Sequence, residues 1–180
     1  LEWHKKLAED ETFDVQVLPA WRPDKAMNLE KPDYLDYLAK LETASGMKID
    51  SFAALIEALK NRMDFFAENG CTVSDHGLEY VMHVPATEEE VEKIFAKRLS
   101  GETVSRQEEL QFKTAYMTAL GKEYHKRNWV MQLHYGVKRD NNRRVFNELG
   151  PDAGIDCINN FAPSSEMADC LNGLAEADEL

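Results

Sequence analysis

The sequence predicts an α/β protein built from parallel βα units, a segment of a (β/α)8 TIM barrel. Three observations lead there. Three short apolar stretches with strand character are separated by helical stretches, and strands separated by helices pair in parallel. Each stretch ends in ionisable side chains: Arg22 with Asp24, Asp75 with His76, and His134. In a barrel, functional groups gather at the C-terminal ends of the strands. The third observation is an absence from the sequence. No GxGxxG or Walker-type loop is present, which counts against a small doubly wound nucleotide-binding sheet.

The elements follow in order. Residues 13–18 alternate apolar and polar (Phe13, Val15 and Val17 against Asp14 and Gln16) and run into a loop stiffened by Pro19 and Pro23, so a strand is expected there. Leu35, Leu38 and Leu41 repeat at helical spacing. Phe52, Leu55, Ile56, Leu59, Met63 and Phe66 form a second stripe, opened after Asp50 or Ser51 and stopped by Asn69-Gly70. A second strand is expected over 71–74, ending in Asp75-His76-Gly77. Thr87 with Glu90 and Ser105 with Glu108 are capping boxes that open two amphipathic helices. Val91, Ile94 and Phe95 line the first of these, and Leu110, Ala115, Leu120 and Tyr124 the second. Residues 129–134 form the third strand. A long polar loop covers 135–160, and a last helix 165–175. No repeat or linker divides the 180 residues, so they read as one domain segment of about three barrel units; a whole barrel takes about 250 residues.

Composition narrows the partners. Acidic residues outnumber basic ones 33 to 21, giving a net charge of −12. That argues against nucleic acid and against anionic lipid, both of which call for a basic surface. The basic stretch from Lys138 to Arg144 is short and reads as a polar loop over a site. No apolar run approaches the roughly 18 residues of a membrane span, and no signal peptide opens the sequence. Cys71, Cys157 and Cys170 are widely spaced without a CxxC pair, so buried reduced thiols in a cytoplasmic protein are expected. The first residues already have helical character without a preceding methionine, and the last ones follow a helix without a closing element. Both ends suggest a piece of a longer polypeptide.

The candidate site residues each carry two readings. Arg22, between Trp21 and Pro23, suits bidentate capture of a carboxylate; it would equally tie down its loop by pairing with Asp24. His76 beside Asp75 would bind a metal, shuttle protons or hold a hydroxyl, or simply be hydrogen-bonded at a strand end. His134 closes the most apolar strand, with Gly136 nearby, and is either functional or a buried histidine with satisfied partners. His4, His83 and His125 are expected at the surface. Glu88, Glu89 and Glu90 are the acidic first turn of a helix, favoured by its dipole.

Residues 17–26 (VLPAWRPDKA), 70–78 (GCTVSDHGL), 132–136 (QLHYG) with Arg139, Asn141, Asn142 and Arg144, and 150–156 (GPDAGID) together resemble the uronate (glucuronate) isomerase family over nearly the whole chain. The resemblance implies a (β/α)8 barrel related to the amidohydrolases, with these residues spanning strands three to five. It implies interconversion of D-glucuronate with D-fructuronate and of D-galacturonate with D-tagaturonate. Arg22 would bind the substrate carboxylate, and His134 would sit near the metal or the reacting carbons. His76 and Asp75 would line the pocket, and Arg139 and Asn142 would shape the loop above. Tyr135 and Asp140 depart from the family pattern.

The family's divalent metal, zinc foremost, is held by an HxH pair on strand one and an aspartate on strand eight, and neither is found in this sequence. The expectation is therefore a segment that carries the carboxylate anchor and a pocket wall, lacks the metal ligands, is inactive alone and needs the rest of the barrel. Open sheet edges would favour self-association into a homo-oligomer. Two rival readings are a non-catalytic uronate-binding or interaction domain and a small metal-dependent hydrolase using His76 and His134.

Overall fold

Ser51, Thr87 and Ser105 start the main helices as their sequence contexts predict. Each side-chain hydroxyl accepts the backbone N–H three residues on, and the Thr87 and Ser105 boxes close reciprocally through Glu90 and Glu108. The computed structural model describes residues 1–161 and 163–176. Along it run α1 (Glu2–Ala8), α2 (Asp24–Met27), α3 (Tyr34–Ser45), α4 (Phe52–Ala67), β1 (Val73–Gly77), α5 (Glu88–Leu99), α6 (Arg106–Lys126), β2 (Val130–His134), β3 (Val137–Lys138), α7 (Arg143–Leu149), β4 (Cys157–Ile158) and α8 (Ser164–Ala175).

The strands β1 and β2 pair in parallel, with Val73 opposite Val130 and Gly77 opposite His134. Helices α5 and α6 form the crossover between them, as the βαβ pattern requires. A short antiparallel pair, β3 with β4, stands apart. The core is a helical layer. On α6, Phe112, Tyr116, Leu120 and Tyr124 recur every fourth residue and are all buried. Phe95 stacks on Phe112 at 5.9 Å and Phe112 on Tyr116 at 6.1 Å. The sequence stripe on this helix was drawn through Leu110 and Ala115 as well, but both are only partly buried.

Four expectations are corrected. Residues 13–18 do not form a strand; Phe13, Val15 and Val17 are exposed. Alternation marks a half-buried strand only where a neighbour supplies backbone partners. Here the ladder reaches β1 at Trp21 alone, whose N–H donates to the Val73 carbonyl (3.0 Å) and whose carbonyl accepts from Asp75 (2.8 Å). Pro19 has no N–H to offer upstream. The second strand lies two to three residues later than expected, so Asp75 and His76 fall inside it. The polar loop 135–160 contains β3, α7 and β4, because Asn142 caps α7 by accepting from the Val145 N–H at 3.3 Å. Cys157 is exposed, whereas Cys71 is buried and Cys170 half-buried; all three are free. Of the histidines expected at the surface, His125 is exposed and His4 and His83 are half-buried.

Two buried hydrogen bonds fix α2 and the residue that precedes it. The Tyr116 hydroxyl donates to the Pro23 carbonyl at 3.0 Å, and the Tyr34 hydroxyl to the Ala26 carbonyl at 3.0 Å. Tyr116→Phe leaves the Pro23 carbonyl without that partner and is expected to lower stability by about 1–3 kcal/mol. Urea denaturation of the complete polypeptide checks this, and an unchanged midpoint would count against the bond.

Candidate functional site

The period of two along β1 decides which side chains reach the surface. Ser74 and His76 turn inward and are fully buried, while Asp75 turns to the opposite face. On β2, Gln132 and His134 share the face of Asp75. Arg22 arrives over the same end of the sheet from the loop after Trp21. Arg22 and His134 border an open cleft of about 910 Å³, with Asp24, Gly77, Glu79, Lys138, Arg139 and Asp152 on its walls; Asp75, expected to line the pocket, is not among the lining residues. A separate concavity of about 520 Å³ lies against α1, lined by residues 13–18 with His4, Lys5, Glu9 and Glu68.

Within the cleft, Arg22 is held by two carboxylates. Its Nε donates to Asp24 Oδ2 at 3.1 Å and its Nη1 to Asp75 Oδ2 at 3.1 Å. The side chain nevertheless remains 55% exposed. Arg22 thus ties its loop to Asp24, and it borders the cleft. His134 Nδ1 lies 2.8 Å from Asp75 Oδ1, close enough for charge attraction but without hydrogen-bond alignment. Asp75 therefore stands between the arginine and the exposed imidazole.

His76, expected to line the pocket, does not border the cleft. It is wholly buried, with Nδ1 3.0 Å from Asp24 Oδ1 and Nε2 2.9 Å from the Tyr124 hydroxyl. Asp24 only accepts, which assigns a proton to Nδ1; in the tautomer with its single proton there, Nε2 accepts from Tyr124. Burial pushes the Asp24 carboxyl up, but His76, the Gly77 N–H (2.9 Å) and Arg22 together hold it below its ordinary value of 3.8. Burial pushes the Tyr124 phenol up, so it stays protonated.

Arg139 pairs with Asp156 at 2.6 Å and with Asp152, and it borders the cleft. Asn142 does not line the cleft; its side chain caps α7. Among the described residues no group of three His, Cys, Asp or Glu side chains is placed to hold a metal ion. No helix among them is long and apolar enough to cross a membrane. Sequence reasoning left Asp24, Gly77 and Tyr124 out of the site. Asp24 had a signal, two residues from Arg22; Tyr124 lies on a core stripe and had none.

A profile of glucuronate isomerases matches residues 1–180, the entire sequence. The chain belongs to the glucuronate isomerase family. It is 68% identical over 180 residues to the uronate isomerase of Lachnoclostridium phytofermentans, covering 100% of this chain and 39% of that protein. It is 66% identical to the uronate isomerase of Lachnospira eligens, again over 100% of this chain and 38% of the relative. The chain thus spans well under half the length of these curated relatives. Among solved structures, the uronate isomerase of Thermotoga maritima superposes with a TM-score of 0.89 at 34% identity, over 97% of this chain and 39% of that one. The glucuronate isomerase of Caulobacter crescentus gives 0.83 at 25% identity, over 96% and 36%. The α/β organisation with a parallel strand pair is therefore shared with isomerases of this family.

Two predictions come from this geometry. A Cβ on Gly77 would lie 2.6 Å from Arg22 Nη2. Gly77→Ala should leave the fold intact, because the obstructing atom ends a flexible side chain, yet shift the guanidinium; a crystal structure of the variant reads the shift directly. Asp24 has a folded pKa below its unfolded value, so its contribution to stability is present above about pH 4 and is lost as pH falls through the folded pKa. Asp24→Asn should flatten that part of the acid limb in a pH series of thermal melts, and an unchanged limb would contradict the assignment.

Proposed function

We propose that the complete polypeptide carrying these residues isomerises hexuronates between aldose and ketose, D-glucuronate to D-fructuronate and D-galacturonate to D-tagaturonate. This segment supplies the carboxylate anchor and one wall of the pocket. Arg22 carries the reading: a guanidinium fixed at two points, which borders an open cleft together with an exposed histidine. Family membership supports the reaction class.

Isomerisation moves a proton from C2 of the open-chain sugar to C1 through an enediolate. Such a reaction calls for a proton-transfer group near C1 and C2 and an anchor for the carboxylate at the far end. His134 fits the first role. With Asp75 beside Nδ1, its Nε2 is the atom left to take or give a proton in the cleft. Arg22 fits the second, since the fork geometry of guanidinium suits a planar carboxylate. Asp75 bonds Arg22 and lies beside His134 Nδ1, between the two groups. Arg139, braced by Asp152 and Asp156, lies on the opposite wall and serves as a further substrate contact.

The described residues do not by themselves fit a metal site. The divalent ion, zinc foremost, belongs to the proposal for the complete enzyme, with ligands from parts of the barrel not included in this sequence, and no step here is routed through it. The parallel pair, flanked by Trp21 on one side and by the open edge of β2 on the other, supports placing these strands as three to five of a (β/α)8 barrel. Val130 on that open edge is 66% exposed, apolar surface of the kind a neighbouring strand covers. The rest of the barrel is therefore the first partner. Homo-oligomerisation and a cytoplasmic location complete the proposal.

Proton NMR with D-glucuronate in D2O tests it. The complete polypeptide, supplied with zinc or manganese, should produce fructuronate, with deuterium entering at C1 of the ketose and at C2 of recovered glucuronate, and the isolated 180-residue chain should not. His134→Gln should lower kcat roughly 10²–10⁴-fold. A complete polypeptide that leaves glucuronate unchanged, or a His134→Gln variant with full kcat, would refute the respective assignment.

A further inference from the structure

We propose that Tyr124 on α6 is a positioning residue for the carboxylate anchor, acting through His76 and Asp24 on Arg22. The inference rests on the reading of Arg22 as that anchor. Four side chains form one line from core to cleft. The Tyr124 hydroxyl meets His76 Nε2 at 2.9 Å, His76 Nδ1 meets Asp24 Oδ1 at 3.0 Å, and Asp24 Oδ2 receives Arg22 Nε at 3.1 Å. The inner two are almost wholly shut off from water, with Tyr124 1% and His76 0% exposed.

The chemistry of each link fixes the next. A buried imidazole with hydrogen bonds at both nitrogens has one tautomer and one ring orientation. With the Nδ1 proton directed at the acceptor Asp24, Nε2 in that tautomer takes the Tyr124 O–H. Asp24 then has Oδ1 committed to the ring and Oδ2 committed to the Gly77 N–H and Arg22. With both oxygens engaged the carboxylate cannot rotate, and the plane of the guanidinium follows. Removing only the tyrosine oxygen frees the ring to turn or change tautomer. Asp24 loses its inner donor, and Arg22 loses one of the two supports that aim it.

A substrate anchored by Arg22 would register that loss chiefly in KM. In the complete enzyme, Tyr124→Phe is expected to raise KM for the hexuronate about three- to tenfold, with kcat changed less. The decisive comparison is a double-mutant cycle. In an Arg22→Ala background, Tyr124→Phe should have little further effect on kcat/KM, because the group it positions is gone. A purely structural tyrosine would lower kcat/KM by the same factor in both backgrounds, or lower thermal stability alone with KM unchanged; either result overturns the proposal.

If Tyr124→Phe does not fold, Asp24→Asn enters the same cycle with the same two outcomes. Failure of the isomerase reading is distinguishable, since the unsubstituted enzyme would then not turn over hexuronate. A crystal structure of the Tyr124→Phe enzyme decides the relay without turnover. A turned His76 ring and an Arg22 released from Asp24 are expected, and an unmoved set of four side chains would overturn the inference.

Discussion

The carboxylate of Asp24 is the joint on which the cleft depends. Three donors from different parts of the chain converge on it: the Arg22 guanidinium from its own loop, the His76 ring from inside β1, and the Gly77 amide at the end of β1. A mostly buried carboxylate is costly unless its charge is met by hydrogen bonds. Here the same bonds that keep it ionised also lock a loop without regular structure onto the only parallel sheet among the described residues. Tyr116 and Tyr34 reinforce this from the helical layer by holding the carbonyls of Pro23 and Ala26. The long helix α6 thereby sets the position of the loop and of the strand end at once.

Neighbouring residues on β1 have opposite tasks because a strand turns alternate side chains to opposite faces. Asp75 shares the face of His134 and stands between it and Arg22; His76 faces α6 and supports the far side of the same loop. This division explains why the pair Asp75-His76 was only half legible. Its chemistry was plain in the sequence, but its orientation depended on the register of the strand. Beginning the strand at Val73 instead of Cys71 places His76 inside it, and the inward parity then buries the ring.

What could be read in advance was local. Ser51, Thr87 and Ser105 cap helices through bonds to residues three positions on, and the stripe from Phe52 to Phe66 needs only its own spacing. What could not be read depends on partners distant in sequence. Residues 13–18 have a strand pattern but reach a neighbour only through Trp21. Asn142 had the chemistry of a polar loop residue and proved to be a helix cap. Tyr124 was recognised as core, yet the destination of its hydroxyl lies 48 positions away. A buried phenol needs some partner, but nothing in the helix pattern says which. The family resemblance placed Arg22 and His134 at the site without showing what holds them.

The rigidity of the cleft has an electrostatic consequence. Arg22 is flanked by Asp24 and Asp75, and Arg139 by Asp152 and Asp156, so each guanidinium is more than offset by the carboxylates that orient it. In the proposed function, attraction of a substrate carboxylate does not arise from a broad positive field, in keeping with a chain whose acidic residues outnumber its basic ones 33 to 21. On that proposal it comes from the short, directional donors of Arg22, where geometry matters more than net charge. A site of this kind would discriminate by shape, because a misaligned anion would meet the neighbouring acids. The proposed supports behind Arg22, through Asp24 and His76 into the helical core, would serve that aim.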